Sequence, residues 1–133
     1  MSALTVSLLT PEQVLHEGPA ERVVVPMHDG EVGILPGHAS MVGRLGAGIS
    51  RIHHQGQSVR VFVSGGFVQV SANQITILTD DARPPQELDR AEAMEALQGL
   101  LQEPAVGEEA QAQKGRQLDR ARARVRVART QGS

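Results

Sequence analysis

Apolar residues recur at every second position over short stretches of the first two-thirds of the chain. Leu4, Val6 and Leu8 alternate with Thr5 and Ser7. Val59, Val61 and Val63 alternate with Arg60 and Phe62, Val68 and Val70 bracket Gln69, and Ile75 and Ile77 bracket Thr76. Period two over such runs is the mark of half-buried strands. Further runs cover Val14–His16, Arg22–Val25, Val32–Leu35 and Gly48–Ile52. Between them lie Thr10-Pro11, Gly18-Pro19, His28-Asp29-Gly30, Pro36-Gly37, Gln55-Gly56 and Ala72-Asn73, which carry turn chemistry. About eight to ten short strands at this spacing predict a sandwich or flattened barrel. No segment of helical period and length separates them, which argues against a parallel α/β sheet.

The pattern changes at Pro84-Pro85. Ten of the 14 glycines and all five histidines precede it, and Ala, Glu, Gln and Arg dominate afterwards. Asp89 followed by Glu92 resembles a capping box with Asp as the cap. Met94, Leu97 and Leu101, supported by Leu100, then form a stripe at helical spacing. Gly99 weakens this helix by roughly 1 kcal/mol relative to Ala. Pro104–Gly107 is a stop and turn, and from Glu108 a thinner stripe runs through Leu118, Ala121, Val125 and Ala128. Two narrow stripes suit an antiparallel helical hairpin lying on a partner. The run Arg120–Val127 alternates Arg with Ala or Val and also fits an amphipathic strand; the helix propensity of Ala and Arg favours helix. Its small apolar surface predicts a segment that is weakly held and changes shape with its partner.

Composition narrows the function. A chain of 133 residues is one ordinary domain, or one small domain with an appendage. With no cysteine, disulfides, thiolate metal sites and cysteine nucleophiles are excluded. The formal net charge of -2 supplies no global field for nucleic acid or anionic membrane. Two phenylalanines, Phe62 and Phe67, are the only aromatic residues, too few for base-stacking platforms. No apolar run approaches the roughly 20 residues that span a bilayer. The start, Met1-Ser-Ala-Leu-Thr-Val, lacks the basic flank and apolar stretch of a signal peptide, so a soluble protein of a reducing compartment is expected.

Little in the chain is arranged for catalysis. Gly30–His38 is dense in glycine but lacks the Lys-Ser/Thr pair of a phosphate loop; its residues read as a strand, Glu31–Leu35, with a turn at either end. His53 and His54 are adjacent and point to opposite faces of a strand, and His16, His28 and His38 have no ligand spacing, so no metal site is expected. Asp80-Asp81 reads as a solvated turn rather than a carboxylate pair for acid–base work. Ser64-Gly65-Gly66 reads as a bulge or tight bend. Lys114–Arg129 is different: seven cations stand against one acid, Asp119, in sixteen residues. That much self-repulsion fits an electrostatic arm for an acidic partner better than a passive surface. Two rival functions follow from these residues: a β-sandwich with an arginine-rich nucleic-acid arm, and a small hydrolase using Asp80 or Asp81 with a histidine. The net charge opposes the first and the spacing supports nothing of the second.

Three ordered motifs carry a resemblance over essentially the whole chain. Gly30-x-x-Gly33-Ile-Leu-Pro-Gly-His38, Val63-Ser-Gly-Gly-Phe-Val-Gln-Val70 and Ile75-Thr-Ile-Leu-Thr-Asp80-x-Ala82, followed by a helical tail, strongly resemble the epsilon subunit of bacterial F-type ATP synthase. The resemblance implies a ten-stranded β-sandwich, residues 1–85, followed by a regulatory two-helix hairpin, residues 86–133. It implies a non-enzymatic rotor subunit without cofactor, at the cytoplasmic face of the bacterial inner membrane, attached to the membrane only through the complex. The sandwich would bind the gamma subunit and rest on the c-ring. Glu31 and His38, with Asp29 and Met41, are the expected ring contacts. The hairpin would reach the catalytic alpha and beta subunits and inhibit ATP hydrolysis, with Arg116, Arg120, Arg122, Arg124, Arg126 and Arg129 facing acidic loops. Some relatives bind ATP through Ile/Leu-Asp-x-x-Arg-Ala. Leu88, Asp89 and Ala93 match it, and Arg122 and Arg126 would add cations. Glu92, however, replaces the arginine and puts a carboxylate where phosphate would lie, so no bound nucleotide is expected.

Overall fold

A computed structural model describes residues 3–131, and the side chains of residues 129–131 are outside the described set. Eight strands form, in order β1 (Leu4–Leu9), β2 (Val14–Ala20), β3 (Arg22–Met27), β4 (Gly30–Ile34), β5 (Met41–Arg44), β6 (Ala47–His54), β7 (Gln57–Ser71) and β8 (Gln74–Arg83). A single 3₁₀ turn, Pro85–Glu87, precedes helices α1 (Arg90–Gln102) and α2 (Glu108–Gln131). The chain divides after Arg83 into two compact units.

The first unit is one hydrogen-bonded path, β2-β1-β8-β7-β6-β3-β4, with β5 joined to β7. Every pairing is antiparallel except β1 with β8. The long β7 makes two layers of this path. Its first half pairs with β6 from Gln57 to Ser64, and its second half pairs with β5 from Phe67 to Val70. Leu4, Val6, Leu8, Val68, Val70, Ile75 and Ile77 from one layer then meet Val23, Val25, Ile34, Ile52 and Val63 from the other in a single buried cluster. Each such side chain contributes about 1.5–3 kcal/mol of apolar burial.

Gly65-Gly66 is where β7 passes between layers. Both glycines have positive φ, 77° and 111°. Val63 faces the core before them and Val68 after them, so the inward phase shifts by one residue across the bend. The ladder to β8 keeps its register through it, from Ser64↔Asp81 to Gly66↔Thr79, so no residue is inserted and the feature is a bend rather than a bulge. The buried Thr79 hydroxyl lies 2.8 Å from the Gly65 carbonyl and 3.0 Å from that of Asp81, sharing its one proton between them.

Two expectations change. The described residues hold eight strands, not the ten that the resemblance implies; the runs at Val59–Val63 and Val68–Val70 are one bent strand with a phase shift that imitates an interruption, and Met41–Arg44 adds a strand that no run marked. Asp80 and Asp81 belong to β8 and not to a solvated turn, because that strand continues to Arg83. The helices begin as the capping chemistry predicts: the Asp89 Oδ1 accepts from Ala91 N at 2.8 Å and Glu92 N at 3.2 Å. In α1, Ala93 is buried and Leu97 and Leu100 half-buried, whereas Leu101 is exposed, so the stripe ends on Leu100. Arg120–Val127 is helical. Its apolar surface is wider than the predicted stripe, since Ala123 and Val127 are buried along with Ala121, Val125 and Ala128.

Candidate functional site

Three surfaces of the first unit bear on function, and the first two carry the predicted ring contacts. The first is the β3–β4 turn. Met27 pairs with Gly30 across the two-residue turn His28-Asp29, and His28 N donates to the Arg44 carbonyl at 3.1 Å. Asp29 and Glu31 are exposed there. Glu31 is held rather than free: Arg51 Nη2 reaches its two carboxylate oxygens at 3.3 and 3.4 Å.

The second is the Leu35–Ser40 loop beyond the other end of β4. The His38 N donates to the Leu35 carbonyl at 3.1 Å, and Gly37 N donates to the Asn73 side-chain oxygen at 2.8 Å. Asn73 also accepts from Thr5 N through its carbonyl at 2.9 Å, so the loop is tied to the β7–β8 turn and to β1. The His38 ring is half-buried with Nδ1 2.7 Å from the Ala39 carbonyl, and Met41 is half-buried at the start of β5. The four predicted ring contacts are thus two pairs at opposite ends of β4, about 13 Å of strand apart. Asn73 was missed from sequence, although its place in a two-residue turn with Ala72, both at positive φ, marks a rigid hairpin.

The third surface was also missed. On the outer side of the β2-β1-β8-β7 layer, pairing aligns Val14 with Leu9, Leu9 with Leu78 and Leu78 with Phe67. Arg44 follows Phe67 on β5, with Val42 beside it. Val14 is 58% exposed, Phe67 54%, Leu78 46% and Val42 73%. The signal lay in the sequence: Leu78 and Phe67 occupy the polar phase of their own strands.

On the outer face of β3 and β6, Arg22 Nη2 lies 3.2 Å from His53 Nε2, and His53 Nδ1 lies 2.7 Å from the Ser58 hydroxyl. A guanidinium only donates, so Nε2 accepts and Nδ1 carries the proton. Burial first, then the Arg22 and Arg51 charges, hold the His53 pKa below its ordinary 6.5.

In the second unit, Arg116, Arg122 and Arg126 are exposed, and Arg120 and Arg124 are half-buried and engaged in contacts. The Arg129 side chain lies outside the described residues. Successive arginines are 200° apart on a helix of 3.6 residues per turn, so Arg122 and Arg126 share one side and Arg116, Arg120 and Arg124 another. Lys114 Nζ donates to the carbonyl of Glu103, the residue that caps the end of α1. Asp89 spends its carboxylate on the helix start, as above. Among the described residues no cluster of His, Asp or Glu is arranged to hold a metal ion. No helix among them is long and apolar enough to cross a membrane.

The described residues define a two-layer β-sandwich followed by two helices, with an exposed apolar face on one layer. Residues 3–85 match the family model for the β-sandwich domain of the ATP synthase delta/epsilon chain. The ATP synthase epsilon chain of Symbiobacterium thermophilum is 46% identical over 97 residues, covering 72% of this chain and 70% of that one. The epsilon chain of Synechococcus strain WH7803 is 35% identical over 136 residues, covering 97% and 98%. The chain belongs to the ATP synthase epsilon chain family, whose members are accessory and not catalytic. The fold also matches chains in two solved assemblies. One is the Euglena gracilis mitochondrial ATP synthase OSCP/F1/c-ring structure, with TM-score 0.77, 24% identity and coverage of 92% of this chain and 79% of that chain. The other is the Tetrahymena thermophila ATP synthase central stalk/c-ring, with TM-score 0.75, 18% identity and coverage of 96% and 97%.

Proposed function

We propose that this chain is a rotor subunit of the ATP synthase central stalk that docks on the gamma subunit through the outer face of the β2-β1-β8-β7 layer. The observation that carries the reading is the apolar row Val14–Leu9–Leu78–Phe67, in which Val14, Leu78 and Phe67 are exposed and Leu9 is half-buried. Four apolar residues aligned across four strands on one open face are what a permanent partner covers. Burying them at about 25 cal/mol per Å² supplies adhesion without chemistry. A stiff two-layer body suits transmission of torque, and the bend at Gly65-Gly66 ties both layers to one strand.

Asp29 and Glu31, on the tight β3–β4 turn, are the proposed contacts with polar loops of the c-ring. His38 and Met41, at the far end of β4, are the other two proposed ring contacts. The arginines of α2, Arg116, Arg120, Arg122, Arg124 and Arg126, are the proposed partners of acidic loops on the catalytic alpha and beta subunits, where they restrain ATP hydrolysis. Glu92 at the third helical position and the engaged Asp89 both oppose a nucleotide phosphate at the start of α1, so Arg122 and Arg126 are assigned to the brake and not to ATP. The proposed location is the cytoplasmic face of the bacterial inner membrane, peripheral and held by the complex.

The test is binding of purified gamma to the full chain and to Phe67→Asp and Leu78→Asp. Both side chains are exposed, so the fold is retained, and gamma affinity is expected to fall at least tenfold for each. Wild-type affinity in both variants would overturn the docking face.

A further inference from the structure

The outer side of the other layer is basic. Arg51 on β6 stands directly opposite Arg60 on β7, a like-charge cross-strand pair that works against the sheet. Arg22 on β3 is paired with His53 on the next row. Glu31 answers only Arg51, and no acid pairs with Arg60 among the described residues. A second feature adjoins these charges. The ladder from β7 to β8 begins at Phe62↔Arg83, so Gln57–Val61 are paired on one side by β6 and unpaired on the other. Gln57, Ser58, Val59 and Arg60 are all exposed, and Val59 is 41% so. This edge has neither a proline nor a bulge, two of the devices that keep another chain from pairing with it, and carries one charge, Arg60, which admits an acidic strand and repels a basic one.

We propose that the open edge of β7 at Gln57–Val61 accepts an extended acidic segment of a partner protein as an added strand, a carboxylate on it meeting Arg60, whose like-charge neighbour Arg51 lies one strand further in. An added strand takes affinity from backbone hydrogen bonds and selectivity from alternate side chains. A residue of the added strand standing directly opposite Arg60 on the same face lies about 5 Å from it, within reach of its guanidinium. A compact phosphate is a poorer match. Arg51 is already paired with Glu31 and Arg22 with His53, which leaves Arg60 as the cation facing the open edge. The proposal goes beyond the gamma docking face, which lies on the other layer.

The experiment titrates the full-length chain with a nine-residue peptide of alternating Glu and Val and follows backbone amide shifts by NMR. Shifts confined to Gln57–Val61 and their β6 neighbours are expected, with affinity weakened at least tenfold by Arg60→Glu, less by Arg60→Gln, and further by added salt. Arg60 is exposed, so neither variant threatens the fold. No shift at millimolar peptide, or unchanged affinity in Arg60→Glu, would overturn the proposal and leave Arg60 as a guard against strand pairing. Equal binding of an alternating Lys and Val peptide would overturn it as well. Tighter binding of a DNA oligonucleotide to the same amides would replace the partner class, and edge shifts that follow protein concentration without peptide would assign the edge to a second copy.

Discussion

At Gly66 the chain accepts no side chain. Its φ of 111° lies where L residues are strained, and a Cβ there would collide with the Leu78 carbonyl and approach the Thr79 Cα to 2.7 Å. Neither is a flexible side chain, so β8 must shift to relieve the contact. Gly66→Ala is expected to lower unfolding stability by about 2–4 kcal/mol, the range of strained-backbone and overpacking changes, read from the urea midpoint at unchanged m. His53 sets a different residue-scale behaviour. Its folded pKa lies below the unfolded 6.5, so the fold favours the neutral ring. The stability this gives is fully present above pH 6.5 and is lost as pH falls through the depressed folded value. Wild-type stability is therefore expected to drop from pH 7.5 to pH 5 more steeply than that of His53→Gln, measured by urea unfolding across that range. Equal slopes would remove His53 as the source.

At the scale of elements, legibility followed period and caps. The alternations at Leu4–Leu8 and Ile75–Ile77 became β1 and β8 because one face of each is buried and the other is not. The Asp89 cap and the Pro104–Gly107 stop marked the helices because both act through local hydrogen bonds and φ, which need no tertiary contact. The strand β5 was not legible: Met41–Arg44 has a glycine in its third place and pairs with β7 on one side only. The unity of β7 was hidden by its phase shift, which depends on how three neighbouring strands turn together. The apolar row was hidden for a related reason, because residues from β2, β1, β8 and β7 become neighbours only through pairing register. Helix content offers a direct check. Gly99 and Gly115 sit in α1 and α2 with no atom within 4 Å of an added Cβ. Gly99→Ala and Gly115→Ala are each expected to stabilise the helical unit by about 0.5–1 kcal/mol, seen as increased helical circular dichroism and a later thermal transition for that unit.

At the scale of the whole molecule, the two units differ in how they are held. The sandwich core draws every member of its main cluster from residues 4 to 77. The helical unit buries mostly alanine and valine, namely Ala93, Ala121, Ala123, Val125, Val127 and Ala128. Alanine burial contributes far less than burial of Leu, Ile or Phe, which supports the proposal that the helices are the part that responds to a partner. Truncation after residue 87 separates the proposed roles. The shortened chain is expected to unfold cooperatively and to bind gamma with affinity close to that of the full chain, because the apolar row and its supporting core are intact. The assembled enzyme carrying it is expected to hydrolyse ATP faster than the wild type, and full-length Arg122→Ala/Arg126→Ala is expected to do so in part, with a smaller effect at high salt. These readouts fail independently. An unfolded fragment would mean that the sandwich needs its tail. A folded fragment with unchanged hydrolysis would remove the brake while leaving the stalk role standing, since the proposed coupling rests on the sheet face and the β3–β4 turn and the proposed restraint on α2.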